Sequence, residues 1–247
     1  MTPAHAYTMT QTTPPQIGLV VLQSDETLED DMRRLIPHSV RLLVTRLPSA
    51  REVTSETLAR MEHHLSDAAA LFPRNLAFDA VGYGCTSGTA QIGVERIATC
   101  VRDGTRTAAV TEPVSALLAA CAALGAKRIA LLSPYIESVS DTLRRVLADN
   151  GIDAPVLGTF AEAEEAKVAR IDGPSIHAAA LQTLENAQAD ALFLSCTNLR
   201  TLDVVPDLER AAGIPVISSN LVLGWHLLQC AGVIGADVLP GDLLKGA

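Results

Sequence analysis

The chain reads as an α/β protein of two pseudo-symmetric lobes, each a parallel sheet flanked by helices, with a site in the cleft between them. Three observations predict this. After residue 15, short apolar runs of strand length alternate with helical patterns, the order that gives parallel sheets covered on both faces. Two stretches, FDAVGYGCTSG (78–88) and ADALFLSCTN (189–198), each run from an apolar strand into Cys-Thr and a small polar residue; further on, 108–125 and 215–232 each pass from a short strand through a polar turn into an apolar helix. Finally, 48% of the 247 residues are hydrophobic but only 3% are aromatic, so Ala, Leu and Val fill the interior and helices pack closely on sheets.

Residues 1–15 are polar, lack the apolar segment of a signal peptide, and read as a flexible tail ahead of a two-lobed unit over 16–247. The first strand, 16–23, leads through Gln23-Ser24-Asp25-Glu26-Thr27 into a helix over 29–35, which Ser24, Asp25 or Thr27 caps. A strand at 41–48 precedes a long amphipathic helix over 53–72, and the strand 78–84 precedes a helix around 91–101. Then follow the strand 107–111, the helix 113–124, the strand 128–135 and the helix 138–150, which stops at Gly151. The second half continues with strands at 154–160, 191–196 and 215–219, and helices at 175–187, 202–212 and 221–231. The natural division is a Cys85 lobe and a Cys196 lobe, with the chain crossing between them and the ligand at the carboxyl ends of the strands.

A net charge of −9 without any Lys/Arg run argues against nucleic acid as a partner. The longest apolar stretch, 221–236, is interrupted by His226 and Gln229 and reads as a core helix, so no membrane partner is expected. Five cysteines with no CxxC or zinc-like Cys/His spacing predict a reduced, cytoplasmic chain with no metal site.

Cys85 and Cys196 are the candidate reactive groups. Each follows a buried strand, and paired thiols across a cleft suit a reaction that needs an acid on one face of a carbon and a base on the other. A helix starting just after Cys85 lowers its pKa from about 8.5 towards neutrality. The amides of Thr86 and Ser87 then hold a carboxylate or a developing enolate, and Cys196 has Thr197 and Asn198 in the equivalent place. Cys100, Cys121 and Cys230 lie on apolar helical faces and read as packing residues. The GYGCTSG run is a near miss for a dinucleotide fingerprint, with Ser87 where the third glycine belongs. Asp25 at the first strand's end and Tyr135 in Ser133-Pro134-Tyr135 either face the cleft or serve as an N-cap and a surface residue respectively. His63 and His64 form a solvated helix face, and His38, His177 and His226 have no partner visible in the sequence.

Through QIGLVVLQSDET, GYGCTSGT, LLSPY, VARID, SCTNLRT and PVISSN, the chain resembles the aspartate/glutamate racemase superfamily. The resemblance extends over nearly all of the chain after Gln16. It falls in the branch of maleate cis–trans isomerases, arylmalonate decarboxylases and racemase-like ectoine-utilisation proteins, with QSDET and RLPSAREVTSETL most like the last. The resemblance implies no cofactor, a small carboxylate substrate, a dimer or tetramer, and catalytic thiols at Cys85 and Cys196. In racemases of this kind one thiolate removes the proton next to a carboxylate and the opposite thiol returns one; in maleate isomerases the first cysteine adds to the alkene. Arylmalonate decarboxylases keep only the second cysteine, and the presence of Cys85 counts against that activity. Maleate isomerases carry asparagines where this chain has Asp25 and Glu165, and carboxylates there repel a dianion and welcome an ammonium group. The resemblance therefore places amino-acid racemisation, including that of an ectoine-derived amino acid, ahead of maleate isomerisation. Asp25, Thr86, Ser87, Tyr135, Thr197 and Asn198 are the expected substrate-binding residues, and a non-catalytic carboxylate sensor is the alternative of a different class.

Overall fold

The computed structural model describes residues 4–10 and 12–245. In the first lobe the order is β1 (Gln16–Leu22), α1 (Leu28–Leu35), β2 (Arg41–Leu47), α2 (Ser55–Arg60), α3 (Glu62–Ala69), β3 (Phe78–Gly84), α4 (Thr86–Ile92), α5 (Val94–Gly104), β4 (Thr107–Thr111) and α6 (Pro113–Leu124). The second runs β5 (Arg128–Ser133), α7 (Glu137–Asp149), β6 (Asp153–Thr159), α8 (Glu165–Val168), α9 (Gly173–Leu184), β7 (Ala191–Leu194), α10 (Val205–Ala212), β8 (Val216–Ser218) and α11 (Ser219–Cys230). A short 3-10 helix over Pro240–Leu244 closes the described chain.

The two sheets have the same topology, β2-β1-β3-β4 and β6-β5-β7-β8, and every pairing is parallel. The central strands β1, β3, β5 and β7 are buried almost throughout, which explains their unbroken apolar sequences: a strand covered on both faces has no solvent side to alternate with. The edge strands β2 and β6 keep exposed positions. The carboxyl ends of the four central strands therefore carry the residues after Leu22, Gly84, Ser133 and Leu194 into the middle of the molecule.

Two helices lock the lobes together. Helix α11 leaves β8 and packs on β3, β4, α1 and α6 of the first lobe, while α4 lies against α7 of the second. Buried apolar side chains of both sheets form one continuous core. No helix among the described residues is long and apolar enough to cross a membrane.

Two helical stretches differ from expectation. The 53–72 pattern divides into α2 and α3 at Met61. The helix expected around 91–101 begins earlier, directly after Cys85, and breaks at Gly93, whose φ of 93° suits glycine. The second difference matters for the site, because it makes Cys85 itself the cap of a helix.

Candidate active site

Cys85 occupies the N-cap of α4 in extended conformation, with φ −158°. Its Sγ accepts a hydrogen bond from the amide of Gly88 at 3.2 Å, and its carbonyl accepts from the Thr89 hydroxyl at 2.7 Å. Gly88 is required by space: a Cβ there would lie 2.6 Å from Tyr83 Oη, 2.9 Å from Cys85 Sγ and 2.9 Å from Met61 Cε. The amides of Thr86 and Ser87 take no backbone partner among the described residues, as befits the first turn of a helix. The Thr86 hydroxyl is committed across the lobes, 2.7 Å from Ser219 Oγ.

Cys196 is held differently. It follows β7 with φ 115°, a backbone region that costs a non-glycine residue on the order of 1–3 kcal/mol and persists only where the surroundings impose it. Here Ser195 N donates to Leu132 O at 2.8 Å and Cys196 N to Ser219 Oγ at 3.0 Å. The bend aims Sγ at Tyr135 Oη, 3.0 Å away, and the Asn198 amide donates to the sulfur at 3.3 Å. No helix begins until Val205, so Cys196 lacks the cap geometry expected by analogy with Cys85. Behind it, Asn220 Nδ2 donates both to Thr197 O (2.9 Å) and to buried Asp31 (2.7 Å).

Tyr135, which the sequence left between cleft and surface, is buried and donates to Glu165 Oε1 at 2.6 Å. Glu165 opens the short helix α8 and is fixed by a strap from the first lobe: its amide donates to Arg51 O (3.2 Å), Val53 N donates to Ala163 O (3.0 Å), and Glu52 and Glu164 form an antiparallel bridge. Asn198 has a different task from the carboxylate anchor expected of it. Its Oδ1 accepts from the Glu26 amide at 2.8 Å, and its Nδ2 donates to Glu165 Oε2 at 2.7 Å and to Glu165 O at 3.0 Å. With its amide committed on both sides, Asn198 is a staple between the α1 turn, α8 and the Cys196 loop. The Thr197 hydroxyl, 3.3 Å from Gly84 O, ties the two cysteine loops together.

Asp25 braces the start of α1, whose N-cap is Thr27. Oδ1 accepts from the amides of Thr27 (2.8 Å) and Leu28 (2.7 Å) at the start of α1. Oδ2 is buried and has no hydrogen-bond partner among the described residues. Ser87 is buried beside Cys85.

The electrostatics overturn one expectation. Instead of falling towards neutrality, the Cys85 thiol is pushed up to about 12: burial outweighs the opposing Gly88 amide, and the charges of Glu165 and Asp25 add to it. Burial and Glu165 likewise raise Cys196 well above the ordinary thiol value, against the Tyr135 and Asn198 hydrogen bonds. Both carboxyls are raised as well: Asp25 by burial, and Glu165 by burial and the charge of Asp25. Two thiols and two acids are thus buried close enough for the charges of the acids to raise the thiols. The room beside Glu165, walled by Leu22, Ser24, Ser49, Val53 and Met61, is about 10 Å³, enough for one water. Among the described residues no group of three or more His, Cys, Asp or Glu is placed to hold a metal ion. His226, without a visible partner in the sequence, lies 2.7 Å from the Thr111 hydroxyl through Nδ1.

Matched thiols at the ends of equivalent strands in two interlocked parallel-sheet lobes, both buried and both acted on by Asp25 and Glu165, give the architecture of the aspartate/glutamate racemase type. A profile of the arylmalonate decarboxylase (Amdase) family matches residues 94–238, and the chain belongs to that family, in the branch shared with maleate isomerases. It is 33% identical over 128 residues to the arylmalonate decarboxylase of Bordetella bronchiseptica, a match covering 51% of this chain and 53% of that protein; it thus spans about half the length of this relative. To the maleate isomerase of Nocardia farcinica it is 28% identical over 244 residues, covering 93% of this chain and 95% of the relative. A solved structure of that organism's maleate cis–trans isomerase, a Cys-to-Ser mutant with a covalently bound succinylcysteine intermediate, superimposes with a TM-score of 0.79 at 26% identity, covering 95% and 100% of the two chains. The two-lobed α/β fold expected from the sequence is the observed one.

Proposed function

We propose that the protein is a two-thiol isomerase that interconverts the cis and trans forms of a small unsaturated carboxylate of the maleate type, through an adduct on Cys85. The enzyme class rests on the relatives that span the whole chain, which are isomerases. The observation that carries the proposal is the pair of buried thiols at matched strand ends, each acted on by the charges of Asp25 and Glu165. It reverses the order expected from the sequence, which put amino-acid racemisation first: the full-length relatives are maleate isomerases.

The geometry supplies a balanced reaction. Cys85 Sγ bonds to one alkene carbon; the π electrons move to the neighbouring carbon, which takes the proton from Cys196 Sγ. The former double bond is now single and rotates. Cys196 then removes a proton from the same carbon, the double bond reforms, and Cys85 leaves with the C–S electron pair. The free amides of Thr86 and Ser87 at the α4 N-terminus accept a substrate carboxylate without a cationic side chain. Because burial raises both thiols, Cys85 enters as a thiol; its proton passes to the unpartnered carboxylate oxygen of Asp25 as the C–S bond forms and returns to sulfur as that bond breaks.

Racemisation of an amino acid remains the second reading, and Asp25 and Glu165 favour it. A buried, unpartnered carboxylate oxygen at Asp25 suits an ammonium better than a second carboxylate, which two acids in low dielectric would repel by several kcal/mol. Proton NMR in deuterated buffer separates the two: maleate and, in parallel, aspartate, glutamate and 2,4-diaminobutyrate are incubated with the enzyme. Appearance of fumarate with untouched amino acids is the expected result. Loss of an amino-acid α-proton signal with maleate unchanged would replace this reading by the second.

A further inference from the structure

Glu165 has no part in the reaction as written above, yet it is the most elaborately held acid in the protein. The Glu165 amide donates to Arg51 O of the strap, Asn198 holds Oε2 at 2.7 Å, and Tyr135 Oη donates to Oε1 at 2.6 Å. The same Tyr135 oxygen lies 3.0 Å from Cys196 Sγ. Sulfur, phenol and carboxylate therefore form one continuous hydrogen-bonded line, and every member is buried. Cys85 also has a tyrosine beside it, Tyr83, but that hydroxyl turns to Met61 Sδ at 3.9 Å, a group that carries no proton, where Tyr135 turns to a carboxylate.

From this geometry we infer that Cys196 and Glu165 share one proton through the Tyr135 hydroxyl, so that Glu165 charges and discharges Cys196 while the site is shut. In one form Cys196 is a thiol donating to Tyr135, whose proton points at the Glu165 carboxylate. In the other, the thiol proton has moved to the Tyr135 oxygen, the phenol proton has moved to Glu165, and Cys196 is a thiolate. One S–H and one O–H bond break, two O–H bonds form, and the net charge of the site is unchanged. That constancy is the physical advantage. Losing a proton to bulk water would add a third charge to a space that already holds Asp25 and Glu165, whereas passing it along the line only relocates the charge. In this role Glu165 acts through Tyr135 and Cys196, as a positioning residue for the proton. The inference rests on the two-thiol reading of the site but is independent of which small carboxylate is turned over.

The test uses the full chain carrying Cys85→Ala, in which iodoacetamide labelling of Cys196 is followed by peptide mass between about pH 6 and pH 8. Labelling reports the thiolate. A shared proton makes the thiolate population independent of pH across this range, because the exchange involves no proton from water. Added Glu165→Gln removes the internal acceptor; labelling at pH 6 should fall at least about tenfold and then climb about tenfold per pH unit. A purely electrostatic role gives the opposite sign, since Glu165 repels the thiolate and its neutralisation would speed labelling. A sloping profile before Glu165 is changed, faster labelling after it, or a flat profile in both proteins would each overturn the inference. Tyr135→Phe, which keeps both acids and breaks the line, should give the sloping profile and covers the case in which Glu165→Gln does not fold. Turnover by the unmodified enzyme is scored separately, so failure of the proton line is distinguishable from failure of the isomerase reading.

Discussion

Cys85 and Cys196 follow equivalent strands of equivalent sheets, yet the chain around each is built for a different task. Cys85 sits in relaxed extended backbone, caps a helix, and is flanked by amides free to meet an anion. Cys196 sits at φ 115° with no helix behind it, and its sulfur is tied to a tyrosine and, through that, to a carboxyl. Repetition of the fold supplies two thiols at mirrored places; divergence of the loops makes one suited to bond formation beside an anchored carboxylate and the other to moving protons. A perfectly symmetric pair would be expected of an enzyme whose substrate presents equivalent faces. The asymmetry here accords with a reaction in which one sulfur binds carbon and the other serves it.

Removing either sulfur tests the comparison most severely. Cys85→Ala and Cys196→Ala should each lower kcat/KM at least about 1,000-fold, equivalent to about 4 kcal/mol of transition-state stabilisation, while circular dichroism and Tm stay near those of the parent. Full turnover in either variant would remove the two-thiol mechanism.

The Cys196 loop also rests on an acid that the Cys85 loop lacks. Burial raises Asp31 from its ordinary 3.8 to about 6, against the Asn220 hydrogen bond and the charge of Arg34. The folded protein therefore binds this proton more tightly than the unfolded chain, and the Asp31 contribution to stability falls as pH rises from about 4 to about 6 and stays lost above. Asp31→Asn keeps an acceptor for Asn220 and should raise stability at pH 7.5 by up to about 3 kcal/mol, with a flatter pH dependence below pH 6. Urea melts at several pH values check this; unchanged stability at pH 7.5 would show that the buried charge is otherwise compensated.

On the opposite side, Gly88→Ala places a methyl against Cys85 Sγ and Tyr83. It should cost about 1–3 kcal/mol by overpacking and slow turnover by displacing the sulfur, which urea melts and steady-state kinetics read together. A smaller effect compares backbones directly. At position 196, where φ is positive, glycine should be more stable than alanine by about 1 kcal/mol, as urea melts of Cys196→Gly and Cys196→Ala read. At position 85, an extended N-cap, any advantage of glycine comes from the cap and not from relief of strain, so equal stability of the two variants at position 196 would mean that the strained bend is absent in solution.

The parallel sheets and the two thiols could be read from the chain because they rest on local signals: continuous apolar runs that only a doubly covered strand accommodates, and a Cys-Thr repeat at two strand ends. Asp25 and Tyr135 could be placed at strand ends, and which way they turned could not. Glu165 lies in AEAEEAK among other acids that remain at the surface, and only the strap from residues 51–53, distant in sequence, selects it for burial. The φ of Cys196 is imposed by Ser219 and Leu132 from other elements, so no residue type announces it. The thiol pKa was misjudged for a related reason: the helix terminus is local and visible in sequence, while the desolvation and the two carboxylates that outweigh it are assembled only by the fold.

The division of labour between the sulfurs can be read from one experiment. Cys196→Ser and Cys85→Ser proteins are each incubated with maleate, then digested, and the peptides bearing residues 85 and 196 are searched for the mass of an added substrate. The account predicts an adduct on Cys85 in the Cys196→Ser protein and none in the Cys85→Ser protein. An adduct on Cys196, with Cys85 left free, would contradict it.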